Sequence, residues 1–114
     1  MKIRILNLAD MRIIEMVGSY IDITDAIRQY IETKLGSLDK LCEGYSPCEV
    51  RVEAGKTGDH SNKGRIWRAE FTMTIPGASL RAEATEEDLY AAIDEAKDDL
   101  KRQLVAHKEK QRNY

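Results

Sequence analysis

The sequence predicts an α+β fold, a two-layer sandwich of order β-α-β-β-β-α in which a four-stranded mixed sheet carries both helices on one face. Four short segments alternate apolar and polar residues, the pattern of strands with one buried side. Two longer segments each carry a single apolar stripe at helical spacing. Two helices with one stripe apiece can cover one sheet face only, so the other face must be wet.

Residues 1–10 are read as an N-terminal extension and 11–114 as a single domain, with Met11 an alternative initiator. "RIIEMVGS" alternates, with Ile14 and Met16 on one face, and reads as a strand ending at Gly18. "IDITDAIRQYIETKLGSLDKLCEG" reads as one helix. Thr24 suits its N-cap, and Asp25 places a negative charge in the first turn, where the helix dipole favours it. Ile23, Ile27, Ile31, Leu35, Leu38 and Cys42 form its stripe, and Gly44 with Pro47 ends it.

"CEVRVEA" then alternates, with Val50, Val52 and Ala54 inward. "GKTGDHSNKG" has no apolar residue and reads as an exposed loop. In "RIWRAEFTMTIPG", Trp67, Ala69, Phe71, Met73 and Ile75 share a face, and Pro76-Gly77 suits a type II turn into "SLRAEA". Thr85-Glu86-Glu87-Asp88 has the form of a capping box opening a long last helix, whose apolar line is Leu89, Ile93, Ala96, Leu100 and Leu104. The last three strands should form an antiparallel meander. The first must run parallel to its neighbour if the first helix is a crossover.

Several classes are set aside by what the residues lack. No apolar run reaches the roughly 18 residues of a membrane span, and the N-terminus does not have the pattern of a signal peptide, so the expected location is the cytoplasm. The "GKT" at 55–57 lacks the glycine a phosphate-binding loop needs five residues earlier, where Val50 stands. His60 and His107 have no nucleophile or carboxylate arrangement around them. No catalysis, no cofactor, no metal and no small-molecule substrate are therefore expected. Cys42 and Cys48 match no zinc spacing. A disulfide across the "CEGYSPC" turn is the alternative to two reduced, incidental thiols.

The net charge of −2 gives no overall pull toward nucleic acid, so any such function must lie in how charges are distributed. The last helix turns from acidic to basic along its length. With Ile93 at zero, Lys97, Lys101, Lys108 and Arg112 fall roughly 40–100° round the helix, a basic flank beside the apolar line. The same gradient also complements the helix dipole, as a solvated surface helix would. Lys34 falls inside the first helix's apolar stripe, where a lysine must snorkel out along its stem. If the helices lie side by side, Lys34 and the lysine flank meet in the cleft between them.

"IDITDAIRQYIETKLGSLDKL" and "LRAEATEEDLYAAIDEAKDDLKRQLVAHKEK" resemble the ribosome hibernation promoting factor family, also called ribosome-associated inhibitor or protein Y, over residues 12–110. The resemblance implies a fold similar to double-stranded-RNA-binding domains. It implies binding to the small ribosomal subunit in the decoding region, where messenger and transfer RNA sit, and silencing of translation in stationary phase or stress. The partners so implied are the subunit's ribosomal RNA and its proteins, and no membrane. Positions matching the family's basic ones are Arg28, Lys34, Arg102, Lys108 and Lys110. Ser37, Asp99 and Ala106 stand where the family commonly has lysine, and Leu89 replaces a usual Met; Lys97 and Lys101 add charge elsewhere. The chain reads as a short form, or as the N-terminal domain of a long form whose C-terminal domain would bring in a second ribosome by dimerisation. It lacks the acidic tail of inhibitor-type members.

The expected RNA-binding set is thus Arg28, Lys34, Lys97, Lys101, Arg102, Lys108, Lys110 and Arg112. The alternatives are a self-associating or protein–protein module, using the edge of the last strand or Trp67, and a general double-stranded-RNA binder.

Overall fold

The structure, a computed structural model, describes residues 6–58 and 66–112. Most of the polar loop, His60 included, and the first five residues lie outside the described residues. The elements are β1 (Leu6–Asn7), β2 (Arg12–Ser19), α1 (Asp25–Gly36), a 3₁₀ turn (Asp39–Cys42), β3 (Glu49–Lys56), β4 (Trp67–Ile75), β5 (Ala78–Glu86) and α2 (Leu89–Arg112). The sheet order is β1-β2-β3-β4-β5, parallel between β2 and β3 and antiparallel elsewhere. The α+β layering and the meander are as expected from alternation.

The sheet has five strands, not four. Leu6 pairs with Ile13 and Asn7 with Arg12. The intervening turn is closed by the Leu8 N–H, which donates to the Met11 carbonyl at 2.8 Å. Asp39 fastens this turn from the 3₁₀ segment: its Oδ1 accepts from the Asp10 N–H (3.0 Å) and the Met11 N–H (2.8 Å). Two residues are too few to show a period of two, so composition gave no sign of β1.

Alternation in β2 is offset by a bulge. Ile13 pairs with Val50 but Glu15 with Arg51, leaving Ile14 as the extra residue. Ile13 and Met16, each 2% exposed, therefore face the core, and Ile14 does not partner Met16. One inserted residue reverses every later side chain.

The single helix expected through Gly44 is broken in two. Thr24 caps α1 as its spacing suggests, its Oγ1 accepting from the Ile27 N–H at 3.2 Å. At the far end the Ser37 hydroxyl donates to the Lys34 carbonyl at 2.6 Å, an alternative to the helical ladder. After Gly36-Ser37, both weak helix formers, the chain tightens into the 3₁₀ turn. Leu38 and Cys42 stay buried, so the stripe outlives the helix. Cys42 and Cys48 are buried free thiols.

The start of α2 also differs from the capping-box reading. β5 runs on to Glu86, and Asp88 is the cap: its Oδ1 accepts from the Tyr90 N–H (2.7 Å) and the Ala91 N–H (3.4 Å). Gly77 has φ +80, as the third residue of a type II turn requires. All five residues of the α2 apolar line are buried, and they close over Phe71, Met73 and Ala82 of β4 and β5. Each large side chain buried this way stabilises the fold by about 1.5–3 kcal/mol.

The opposite sheet face is a lattice of opposite charges. Arg68 reaches Glu53 (3.6 Å), Glu70 (2.9 Å) and Glu83, while Arg81 reaches Glu70 and Glu83. Cations and carboxylates neutralise one another there, so this face presents no basic surplus. Among the described residues, the basic surplus lies in the helical layer.

Candidate nucleic-acid interface

α1 and α2 lie side by side and point the same way: Tyr30 meets Tyr90 and Asp94, and further along Leu41 meets Lys108. Both N-termini therefore sit at one end of the molecule and both C-termini at the other. Along residues 89–100, α2 carries Asp94, Glu95, Asp98 and Asp99 with Lys97 alone opposing them. Along 101–112 it carries Lys101, Arg102, Lys108, Lys110 and Arg112 with Glu109 alone opposing them. Lys110 and Arg112 in the last turn suit the negative end of the dipole.

Lys34 snorkels into the cleft between the helices, its side chain 33% exposed, and its Nζ stands 3.2 Å from Asp94 Oδ1. The Tyr30 hydroxyl donates to the same oxygen at 2.7 Å. The Lys34 ammonium also lies 5.3 Å from the Tyr30 ring centre, and Tyr30 packs edge-on against Tyr90. The hydrogen bond to Asp94, then its charge, holds the Lys34 pKa above the ordinary lysine value. The hydrogen bond to Asp94 likewise raises that of Tyr30. Next along α2, Lys97 sits 2.8 Å from Asp98. Asp98 is held below the usual carboxylate range by that hydrogen bond first, with the charges of Lys97, Arg102 and Lys34 adding to it.

Lys34 and Lys97 are thus brought together through carboxylates. The cleft alternates in sign where a row of lysines alone was expected, because like charges at this spacing need counter-charges to coexist.

Past the cleft the character changes. The Lys108 ammonium donates to the Leu41 carbonyl at 2.8 Å and lies 5.7 Å from the Tyr45 ring centre. The Tyr45 hydroxyl hydrogen-bonds Gln111 Oε1 at 2.6 Å, and its ring tilts against His107. Lys108 and Arg112 line a cavity of about 500 Å³ with Leu41, Tyr45 and Val105. Lys101 and Arg102 share a second hollow of about 430 Å³ with Ala106 and Glu109, and Arg102 also pairs with Asp99 at 3.4 Å. Lys110 is exposed beside them. Arg28 stands apart from these groups, bound along α1 to Asp25 (3.4 Å) and Glu32 (3.3 Å).

Tyr30, Asp94, Asp98, Tyr45 and Gln111 shape this surface without having been singled out as site residues. The Tyr30–Lys34 spacing of four residues was a usable signal. Tyr45, in the "CEGYSPC" turn, gave none. Among the described residues no group of three or more His, Cys, Asp or Glu is placed to hold a metal ion, and no helix is long and apolar enough to cross a membrane.

The model of the Sigma 54 modulation protein / S30EA ribosomal protein family matches residues 14–112. The chain belongs to this family. Among its relatives, a ribosome hibernation promoting factor of Azotobacter vinelandii is 36% identical over 98 residues, which is 86% of this chain and 84% of that protein. A ribosome hibernation promotion factor of Deinococcus radiodurans is 33% identical over 94 residues, 82% of this chain but only 48% of the relative's own length. In three dimensions the chain is similar to the N-terminal domain of Thermus thermophilus Protein Y, with a TM-score of 0.69 and 36% identity, covering 81% of this chain and 93% of that one. A ribosomal subunit interface protein from Coxiella burnetii superposes with a TM-score of 0.67 at 25% identity, covering 82% and 93%. The family and its α+β fold agree with the sequence resemblance.

Proposed function

We propose that this protein is a ribosome hibernation factor. It binds the small ribosomal subunit through ribosomal RNA in the decoding region, and it inhibits translation under stress by occupying the place of messenger and transfer RNA. It works by occlusion, without chemistry. The observation that carries this reading is the likeness to the Azotobacter vinelandii hibernation promoting factor over 84% of that protein's length. The surplus of five cations over one carboxylate along the second half of α2 supports it from this chain's own residues.

In this reading Lys101, Arg102, Lys108, Lys110 and Arg112 form the principal contact with phosphate. Cations that neutralise phosphates release bound counterions, which gives affinity with little base specificity. Lys34 and Lys97 extend the contact into the cleft. There each must exchange a carboxylate for a phosphate, so they act as secondary contacts. Arg28 contributes from the outer side of α1. The acidic first half of α2 repels RNA and so fixes which end of the domain approaches it.

The test is competition. Small subunits loaded with messenger RNA and labelled transfer RNA are titrated with the protein, and retained transfer RNA is measured. Displacement near stoichiometric protein, with matching loss of cell-free translation, is the expected result. Binding that leaves transfer RNA in place would move the site away from the decoding region.

A further inference from the structure

The geometry points to a second interaction surface at the opposite, acidic end of the helices, a groove that takes a lysine- or arginine-rich peptide segment through one bulky apolar side chain. This goes beyond the ribosomal RNA reading and shares with it only Arg28, at the margin of the groove.

The groove opens where the first turns of α1 and α2 part over the end of β4. Ile21, Ile27, Trp67 and Leu89 form an apolar floor, Asp22 and Asp88 stand at the rim, and the volume is about 370 Å³. That lies within the range of pockets that take small ligands or single side chains, about 300–1,000 Å³. Trp67 closes one side and is itself half-buried, packed against the core, with Lys56 5.4 Å from its ring centre.

Three features make this more than an incomplete core. Tyr20 and Tyr90 are the large hydrophobic residues that stand exposed among the described residues, at 65% and 39%, and both belong to this end. Tyr20 is also held at φ +61, a left-handed conformation that costs a non-glycine residue energy and that often marks functional positions. The turn carrying it packs directly on the Gly18 backbone, where a side-chain carbon would meet the Ile21 carbonyl oxygen at 2.2 Å.

Charge selects the occupant. Asp22 and Asp88 line the mouth, with Asp25 and Glu87 close to them in the chain, against Lys56 beside Trp67 and Arg28 beside Asp25. Asp25 is shared with Arg28, and Asp88 also caps α2. Such a rim repels nucleic acid and attracts a cationic chain, while the aromatic floor accepts an apolar anchor, the pattern of a small peptide-recognition site.

Trp67 is the chain's one tryptophan, so its fluorescence reports on the groove directly. The probe is the acetylated, amidated pentapeptide Lys-Lys-Leu-Lys-Arg, titrated into the whole protein. A saturable change in Trp67 emission is expected, weakened about tenfold when glycine replaces the leucine or glutamate replaces the lysines. The double variant D22N/D88N should bind about tenfold more weakly, since asparagine removes the charge but still caps the helix. If that variant melts early, Asp22→Asn alone keeps the comparison readable. K101E/K110E, altered only at the basic end, should bind the peptide as the unaltered protein does. Absence of a saturable change, equal binding of all three peptides, or unweakened binding by the rim variants would overturn the proposal. So would sedimentation equilibrium showing a dimer that shields Trp67, which would give the groove to a second copy.

Discussion

The Lys34 ammonium lies 3.2 Å from the carboxylate of Asp94, so the one cation in the apolar stripe of α1 is anchored to α2. That pair ties the crossover helix to the C-terminal helix within the acidic half of α2. It also separates two roles for Lys34 that charge alone would merge: holding the helices in register and meeting an anion.

These roles respond differently to substitution. The double variant Lys34→Glu, Lys108→Glu should lose at least about tenfold in affinity for small subunits, because two phosphate contacts become two repulsions. Its melting temperature should fall only by a few degrees, since partly exposed ion pairs contribute about 0–1 kcal/mol. Loss of folding in place of loss of binding would show that the cleft is structural only.

The same pair gives an alkaline signature. Lys34 and Tyr30 both hold their protons more tightly folded than at their ordinary values of 10.5 and 10.0, chiefly through hydrogen bonds to Asp94. A raised folded pKa stabilises fully below the unfolded value and loses that contribution as pH rises through the folded one. Urea midpoints should therefore decline above about pH 10, and Asp94→Asn should decline less steeply. Parallel curves would remove Asp94 as the cause.

Asp88 rather than Thr85 caps α2, and substitution can separate them. Asp88→Ala should cost about 1 kcal/mol and Asp88→Asn only a few tenths, measured by urea denaturation. Thr85→Ala, at the end of β5, should leave helix content unchanged by circular dichroism. A cost at Thr85 equal to that at Asp88 would restore the capping box.

Two glycines should respond with opposite sign. A side-chain carbon at Gly55 would meet the Ser19 carbonyl oxygen at 2.0 Å, whereas at Gly36 it would meet nothing within 4 Å. Gly55→Ala should destabilise by more than about 1 kcal/mol, and Gly36→Ala, at the last turn of α1, should stabilise by about 0.5–1 kcal/mol. Thermal melts of the two variants check both.

Core truncation sets the scale for these effects. Leu100 is fully buried against the sheet, and Leu100→Ala should cost about 3 kcal/mol. At about 4 °C per kcal/mol, that lowers the melting temperature by about 12 °C. A shift under about 4 °C would mean that the interface between α2 and the sheet is not the centre of the core.

What was readable in the residues followed burial. The five apolar positions of α2 and the alternation of β3, β4 and β5 were legible because each buries a repeating face. The failures share a cause: they depend on single hydrogen bonds or single residues, which leave no periodic trace. The Ser37 hydroxyl diverts the chain after α1, Ile14 offsets β2, and the Asp39 carboxylate fastens the turn behind β1. In the site, the cations were visible as charges, but their counter-ions were not. That Asp94 and Asp98 face the cleft follows from the parallel setting of the helices, which packing decides.

The most direct measurement is co-sedimentation of the purified protein with isolated small ribosomal subunits across a salt series. Salt-sensitive binding is expected, with log affinity falling by about 0.7–0.9 per phosphate contact for each log unit of salt. A K101E/K110E variant should bind more weakly and with a shallower slope. Binding that ignores salt and both substitutions, or no binding at low salt, would contradict the assignment of the basic half of α2 to ribosomal RNA.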